Sequence, residues 1–204
     1  MRSVPRLVLS MLNSDERSVL ETERLILRGW RDEDAPSLFK YAADPRVGPA
    51  AGWLPHDSVN YSRAVIRTIF APKEVYAICL KGNGNEPIGS IGLTLKGSEE
   101  RPLEAGEAEL GYWVGVPFWG RGIATEAVTE MLRHGFEDLG LNIIFAGFFE
   151  GNDRSKRVQQ KSGFVHHHTN ENTHVIMLSE IRTEHINVIT RTAWISQKNH
   201  KFNA

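Results

Sequence analysis

Cysteine is nearly absent: Cys79 is the only one in 204 residues. A single thiol excludes an internal disulfide and any thiolate metal cluster, and a reducing cytoplasm is the expected compartment. Its surroundings, Val75–Leu80, form an apolar run that reads as a buried strand, where the reactive thiolate is suppressed, so Cys79 is not read as a nucleophile. Long apolar runs are missing too. The longest uncharged stretches, Leu110–Gly120 and Leu139–Phe149, hold eleven residues each, against about 18 for a helix that crosses a bilayer. Neither sign of charge is in excess, with 24 Lys plus Arg against 25 Asp plus Glu. No global field therefore draws the chain to nucleic acid or an anionic membrane, and anion binding has to be local. Internal repeats and low-complexity runs are also lacking.

Enough apolar residues remain, 41% of the chain, for one sizeable core. Arg2 and Arg6 precede the run Leu7–Leu12, which is too short for a signal-peptide core, so 1–20 reads as an N-terminal extension. One domain is expected over 21–182, followed by a polar C-terminal tail, 183–204, whose only apolar pattern is Ile186-Asn187-Val188-Ile189.

Glu23–Arg28 alternates as a first strand, and Asp32–Ala43 and Ser58–Phe70 carry helical spacing, stopped by Asp44-Pro45 and Pro72. Val75–Leu80 and Pro87–Leu95 form a hairpin across Gly82-Asn83-Gly84-Asn85. A charged loop, 96–106, leads to Glu107–Val116, whose alternation puts Ala108, Leu110, Tyr112 and Val114 on one face and Glu107, Glu109, Gly111 and Trp113 on the other. Apolar residues from Ala124 to Leu139 recur at helical spacing before Gly140. Asn142–Phe149 is continuously apolar and predicts a central strand covered on both faces. Asn152 caps a helix that ends at Gly163, and Phe164–His168 with His174–Leu178 make a last strand pair. The order predicts an α/β fold on one mixed sheet.

The segment Trp119-Gly120-Arg121-Gly122-Ile123-Ala124-Thr125-Glu126 joins the clearest strand to the clearest helix. Glycines there let consecutive N–H groups converge, and the helix start adds unsatisfied donors and a positive dipole end, which suits a phosphate or pyrophosphate. A tight turn without ligand is the competing reading. A Walker A loop is excluded because no Gly-Lys-Ser/Thr follows, and a dinucleotide fingerprint lacks its third glycine.

Together, Glu109-Leu110-Gly111-Tyr112-Trp113-Val114, Trp119 to Ala127, and Asn152-x-x-Ser155 leading to Lys161-Ser162-Gly163-Phe164 resemble the GNAT superfamily of acyl-CoA-dependent N-acetyltransferases. Within it the chain is similar to the branch that contains ribosomal-protein N-terminal acetyltransferases, whose opening Thr22–Arg28 and Asp44-Pro45 also match. The resemblance implies a single α/β domain with a mostly antiparallel mixed sheet, flanked by helices and splayed at the Glu107–Val116 strand. It implies acetyl-CoA as co-substrate and a primary amine as acceptor, either a small molecule or a protein N-terminus. The pyrophosphate would rest on backbone N–H groups of Gly120, Arg121, Gly122, Ile123, Ala124 and Thr125, and pantetheine would pair along Trp113–Val116. The amide of Trp113 or Val114 would polarise the thioester oxygen, while Asn152, Ser155 and Lys161 would also touch the coenzyme.

The amine must lose a proton to attack, and Glu109 is the expected base, with Glu107 second. Ser155 is the expected donor to the departing sulfur, because the position where many relatives carry a tyrosine holds Gln159. No metal, nucleic acid or membrane partner is expected; a homodimer is the default. Histidines 166, 167, 168 and 174 admit a zinc site or a place in the acceptor cleft. The aromatics Trp30, Tyr41, Trp53 and Tyr61 belong either to the core or to an acceptor wall. A non-catalytic acyl-CoA sensor and a nucleotide-binding protein unrelated to CoA are the alternative functions.

Overall fold

A computed structural model describes residues 18–97 and 102–202. The expected N-terminal extension, up to residue 17, and residues 98–101 of the charged loop lie outside the described residues. Eight strands, β1 (Leu20–Glu21), β2 (Leu25–Gly29), β3 (Val75–Leu80), β4 (Pro87–Thr94), β5 (Glu107–Val114), β6 (Ile143–Phe149), β7 (Val165–Val175) and β8 (Glu180–Thr190), form one sheet in the order β1-β2-β3-β4-β5-β6-β8-β7. Only β5 and β6 run parallel; the other neighbours are antiparallel.

Helices α1 (Ala35–Ala42) and α2 (Val59–Thr68) cover one face, where Leu38, Ala42 and Ile66 pack on Ala77 and Cys79. Helix α3 (Ile123–Arg133) covers the other, burying Ala127, Val128, Met131 and Leu132 against Ile78, Ile91, Leu110 and Ile144. Helix α4 (Asp153–Lys161) lies on that same face beside α3, and Trp194 of α5 (Arg191–Phe202) packs against Phe136. The face alternation expected of β5 holds, since Ala108, Leu110 and Val114 are buried under α3.

The chain departs from the expected elements in four places. The long helix changes at His134 into a π-helical turn, His134–Asp138, where His134 is buried 2.8 Å from Glu74 Oε2 and 2.9 Å from Asp138 Oδ2. The strand β5 stops at Val114 and not at Val116, because Pro117 turns Val116–Phe118 into a 3-10 segment. Covering of β6 is unequal: Ile144 and Ala146 are fully buried, whereas Ile143 and Phe145 are half-buried.

The largest difference is at the end of the chain. The last strand pair is not Phe164–His168 with His174–Leu178; it is β7 with β8, reversed over Ile176–Leu178 and Ser179 at φ 53. Much of the expected tail, from Thr183 to Thr190, is therefore a strand inserted between β6 and β7. The polar run Thr169–Thr173 has turn composition, yet it stays extended with Thr169, Asn170 and Thr173 paired to β8 and a bulge at Glu171 and Asn172 between them.

Candidate active site

The parallel ladder of β5 and β6 is short. It pairs Glu107, Ala108 and Glu109 with Ile143, Ile144 and Phe145 and then ends, while β5 continues beside β4 through Val114. Beyond Glu109 the two strands part, and a cavity of ≈ 840 Å³ opens between them, bounded by β5, the loop into α3, β6, the start of α4 and residues 47–51.

One wall of this gap is the edge of β5 that is turned away from β4. The Gly115 N–H donates to the Ile88 carbonyl at 2.8 Å. Since antiparallel ladder groups alternate, the N–H and C=O of Trp113 also face β4, and those of Val114 face the gap. Of the two amides expected to serve a thioester oxygen, Val114 therefore has the right direction. Its carbonyl accepts from Trp119 Nε1 at 2.7 Å, and the Arg154 guanidinium lies 3.8 Å from the centre of the Trp119 ring.

At one end of the gap sits the start of α3. Gly120 and Gly122 have φ 73 and 76, values that L side chains rarely adopt, and Gly122 is the N-cap. The first-turn amides of Ile123, Ala124 and Thr125 have no partner within the helix, and all three residues line the cavity. Glu126 is committed elsewhere, holding Arg24 at 2.6 Å. Across the gap, Arg154, Arg157 and Lys161 share a face of α4 and line the same cavity. Lys161 was legible in the sequence; the two arginines were missed, although their i, i+3, i+7 spacing with Lys161 was the available signal.

The remaining expected residues divide. Trp113, Val114, Gly120, Gly122, Ile123, Ala124, Thr125, Asn152, Ser155, Lys161 and Glu109 all come to the cavity wall. Val116 and Arg121 are not among the lining residues. Val116 has left the strand, and the Arg121 guanidinium lies over Phe118, 5.9 Å from its ring centre. Glu107, the second choice of base, is instead held in the turn before β5, accepting from the Glu104 amide at 3.0 Å.

Asn152 does two things. Its Oδ1 accepts from the Ser155 amide at 3.2 Å as an N-cap, and its Nδ2 donates to the Ala50 carbonyl at 3.0 Å. Arg182 of β8 donates to the adjacent Pro49 carbonyl at 2.6 Å. Residues 47–53 are thus moored over the α1–α2 face of the gap, with Trp53 edge-on to Trp113 at 5.9 Å.

Besides the two arginines, three more cavity residues that the sequence did not single out shape the site. Glu184 of β8 is only 6% exposed and lines the cavity. A Cβ at Gly147 would lie 2.7 Å from Glu184 Oε1, so the glycine in β6 is what lets that carboxylate lie across the strand. Phe149 forms part of the same end. Tyr112, placed by alternation on the face of Leu110 and Val114, reaches through the gap to α4 and sets its hydroxyl 2.9 Å from Ser155 Oγ. Burial raises the Tyr112 pKa, and hydrogen bonding with Ser155 and Gln159 offsets part of that rise.

The histidines do not gather into one site, although His167 Nδ1 lies 2.6 Å from His168 Nδ1 and His166 meets the His185 ring. A bulge between His166 and His168 breaks their common face, and both are exposed. His174 stands further along β7, opposite Ile181. Among the described residues no group of three or more His, Cys, Asp or Glu side chains is placed to hold a metal. Trp30 and Tyr41 are buried, Trp30 stacked on Phe70 and Tyr41 edge-on to Phe118; Tyr61 is exposed and meets His56.

Residues 24–165 match the family described as the Acetyltransferase (GNAT) domain. The chain belongs to the GNAT family of acetyltransferases. It is 31% identical over 150 residues to the uncharacterized N-acetyltransferase YoaA of Bacillus subtilis, a match covering 72% of this chain and 82% of the relative. Two solved acetyltransferases share the fold. The ribosomal-protein-S5-alanine acetyltransferase of Vibrio fischeri superposes with a TM-score of 0.66 at 18% identity, covering 87% of this chain and 98% of that one. The microcin C7 self-immunity acetyltransferase MccE, solved with acetyl-CoA and AMP, gives 0.67 at 16% identity, covering 83% of this chain and 93% of that one. In this GNAT chain, no helix among the described residues is long and apolar enough to cross a membrane.

Proposed function

We propose that the protein moves the acetyl group of acetyl-CoA to a primary amine, on a small molecule or a protein N-terminus, by direct attack of the amine on the thioester. The observation that carries this reading is the gap in the sheet. It has the Val114 amide turned toward it on one side, an anion cradle at Gly120–Thr125 at one end, and walls drawn from β5, β6, α4 and residues 47–51. A long, jointed ligand with a diphosphate, an amide-bearing arm and a terminal acyl group fits those parts in that order. That MccE is solved with acetyl-CoA supports the choice of coenzyme.

The cradle presents backbone donors with no Cβ in the way at Gly120, and Arg154, Arg157 and Lys161 add positive charge opposite it. The Val114 amide, fixed by its ladder position, suits a developing oxyanion. Glu109 alternates with Leu110 and so faces the α1–α2 side of the sheet, and it lines the same cavity as Val47, Ala50 and Ala51. Ser155 faces the other side, on α4. Glu109 takes the amine proton, directly or through water, and Ser155 serves the sulfur; base and donor thus approach the reacting carbon from opposite faces.

The test is a panel of amine acceptors monitored by release of the coenzyme thiol. Wild-type protein is expected to release one thiol per acetylated amine, and Glu109→Gln to lower kcat/KM by about 100-fold or more. Tight CoA binding with no turnover on any acceptor would turn the reading into an acyl-CoA sensor. Absence of CoA binding would remove it.

A further inference from the structure

The serine on α4 poses a problem that the geometry answers. A serine hydroxyl is a far weaker acid than the thiol it would serve, and the position where many relatives place a tyrosine, one helical turn on, holds Gln159. We infer that Tyr112, arriving from β5, is the proton source behind Ser155. This assignment rests on the acetyl-CoA reading above and deepens it.

Gln159 is fully buried and its orientation is dictated from below: Asn187 Nδ2 donates to Gln159 Oε1 at 2.8 Å. The amide NH2 of Gln159 must therefore point the other way, and it donates to the Gly147 carbonyl at 3.1 Å and to Ser155 Oγ at 3.2 Å. Tyr112 Oη lies 2.9 Å from the same Oγ and 3.3 Å from the Ser155 carbonyl. A serine hydroxyl has two acceptor sites and one proton. The phenol has one proton to give, either to the Ser155 carbonyl or to the nearer Oγ; when it goes to Oγ, Gln159 and Tyr112 fill the acceptor sites and the one Ser155 proton is left to point into the cavity that Ser155 and Tyr112 both line.

The proton balance then closes. Attack by the amine forms the C–N bond, and the amine proton leaves to Glu109 or water. Breaking the C–S bond leaves its electron pair on sulfur, which takes the Ser155 proton while Ser155 takes that of Tyr112. The tyrosinate recovers a proton from solvent. The net donor is a phenol, ordinarily near about 10 and held above that by burial, which is still a far stronger acid than a serine hydroxyl, and no free serine alkoxide forms. Burial keeps Tyr112 protonated through the neutral range.

Because Tyr112 acts through Ser155, its test needs a readout that simple packing would not move. Calorimetry with CoA and with desulfo-CoA, which lacks the sulfur, supplies one. Wild-type protein is expected to prefer CoA, increasingly so as the pH rises through about 8.5 and the bound thiol ionises. Tyr112→Phe should lower that preference at least tenfold at alkaline pH and leave desulfo-CoA affinity within twofold. Ser155→Ala should do the same, and the double variant should be no worse than the poorer single one, since the two act in series. Glu109, Glu184, Arg154, Arg157 and Lys161 line the same cavity and are untouched by these variants. Equal weakening of both ligands by Tyr112→Phe, or an unchanged preference, overturns the assignment. If wild-type protein binds neither ligand, the coenzyme reading itself has failed and the assignment goes with it.

Discussion

Asn152 Nδ2 donates to the Ala50 carbonyl at 3.0 Å, tying the start of α4 to the loop that roofs the cavity. The same side chain caps α4, so Asn152→Ala removes a cap worth about 1 kcal/mol together with one of two moorings of the loop. Urea unfolding should show that loss. Steady-state kinetics should show a larger rise in KM for the amine than for acetyl-CoA, because Arg182 still holds Pro49 while the roof over the acceptor side slackens. Equal changes in both constants would remove the loop from the acceptor site.

Gly122→Val places a β-branched residue at φ 76 in the anion cradle. Affinity for CoA should fall tenfold or more, consistent with about 1–2 kcal/mol of left-handed strain and a displaced donor set. Gly140 has a similar φ of 68 with open space where a Cβ would project, and it does not line the cavity. Gly140→Val therefore serves as the control, with comparable strain and unchanged CoA affinity by calorimetry.

Arg28 and Asp34 form a buried two-pronged ion pair at 2.7 and 2.8 Å, each side chain 7% exposed. Asp34→Ala leaves the guanidinium with the Gly29 and Asn85 carbonyls alone. Breaking such a pair costs about 3–5 kcal/mol. The shift in urea midpoint measures it, and a change below about 1 kcal/mol would contradict the burial argument.

Burial pushes the Cys79 thiol up to about 11, with nearby Arg28 opposing the rise. A folded-state pKa above the unfolded one means that the associated stability is fully present below the unfolded value, about 8.5, and is lost as the pH rises toward the folded value. Native protein at neutral pH should resist thiol reagents and become labelled only on denaturation. The alkaline decline of stability between roughly pH 8.5 and 11 should shrink in Cys79→Ala. Rapid labelling of the native protein would contradict both statements.

Local pattern carried most of the scaffold. The alternation of Glu107–Val114, the helical spacing after Gly122 and the cap at Asn152 were all legible, since each depends on residues a few positions apart. The cofactor-side residues between Trp113 and Lys161 that reach the cavity sit on those elements or at their ends. Strand β8 was not legible: Glu180–Thr190 mixes charged and apolar residues, and only its place between β6 and β7 makes it a strand. Glu184 was lost with it.

Tyr112 marks the boundary between the two kinds of information. Its alternation with Leu110 and Val114 set its face of β5, and the structure turns that face inward under α3. Whether the ring meets an apolar neighbour or a hydroxyl depends on where β6 leaves β5 and on what α4 presents there, 43 residues along the chain at Ser155. Periodicity records which side of an element is turned inward, because that is a property of neighbouring residues. The partner waiting on that side is chosen by strand order and ladder length, which are properties of the whole sheet, and those alone brought a phenol, a serine and a buried amide to one point.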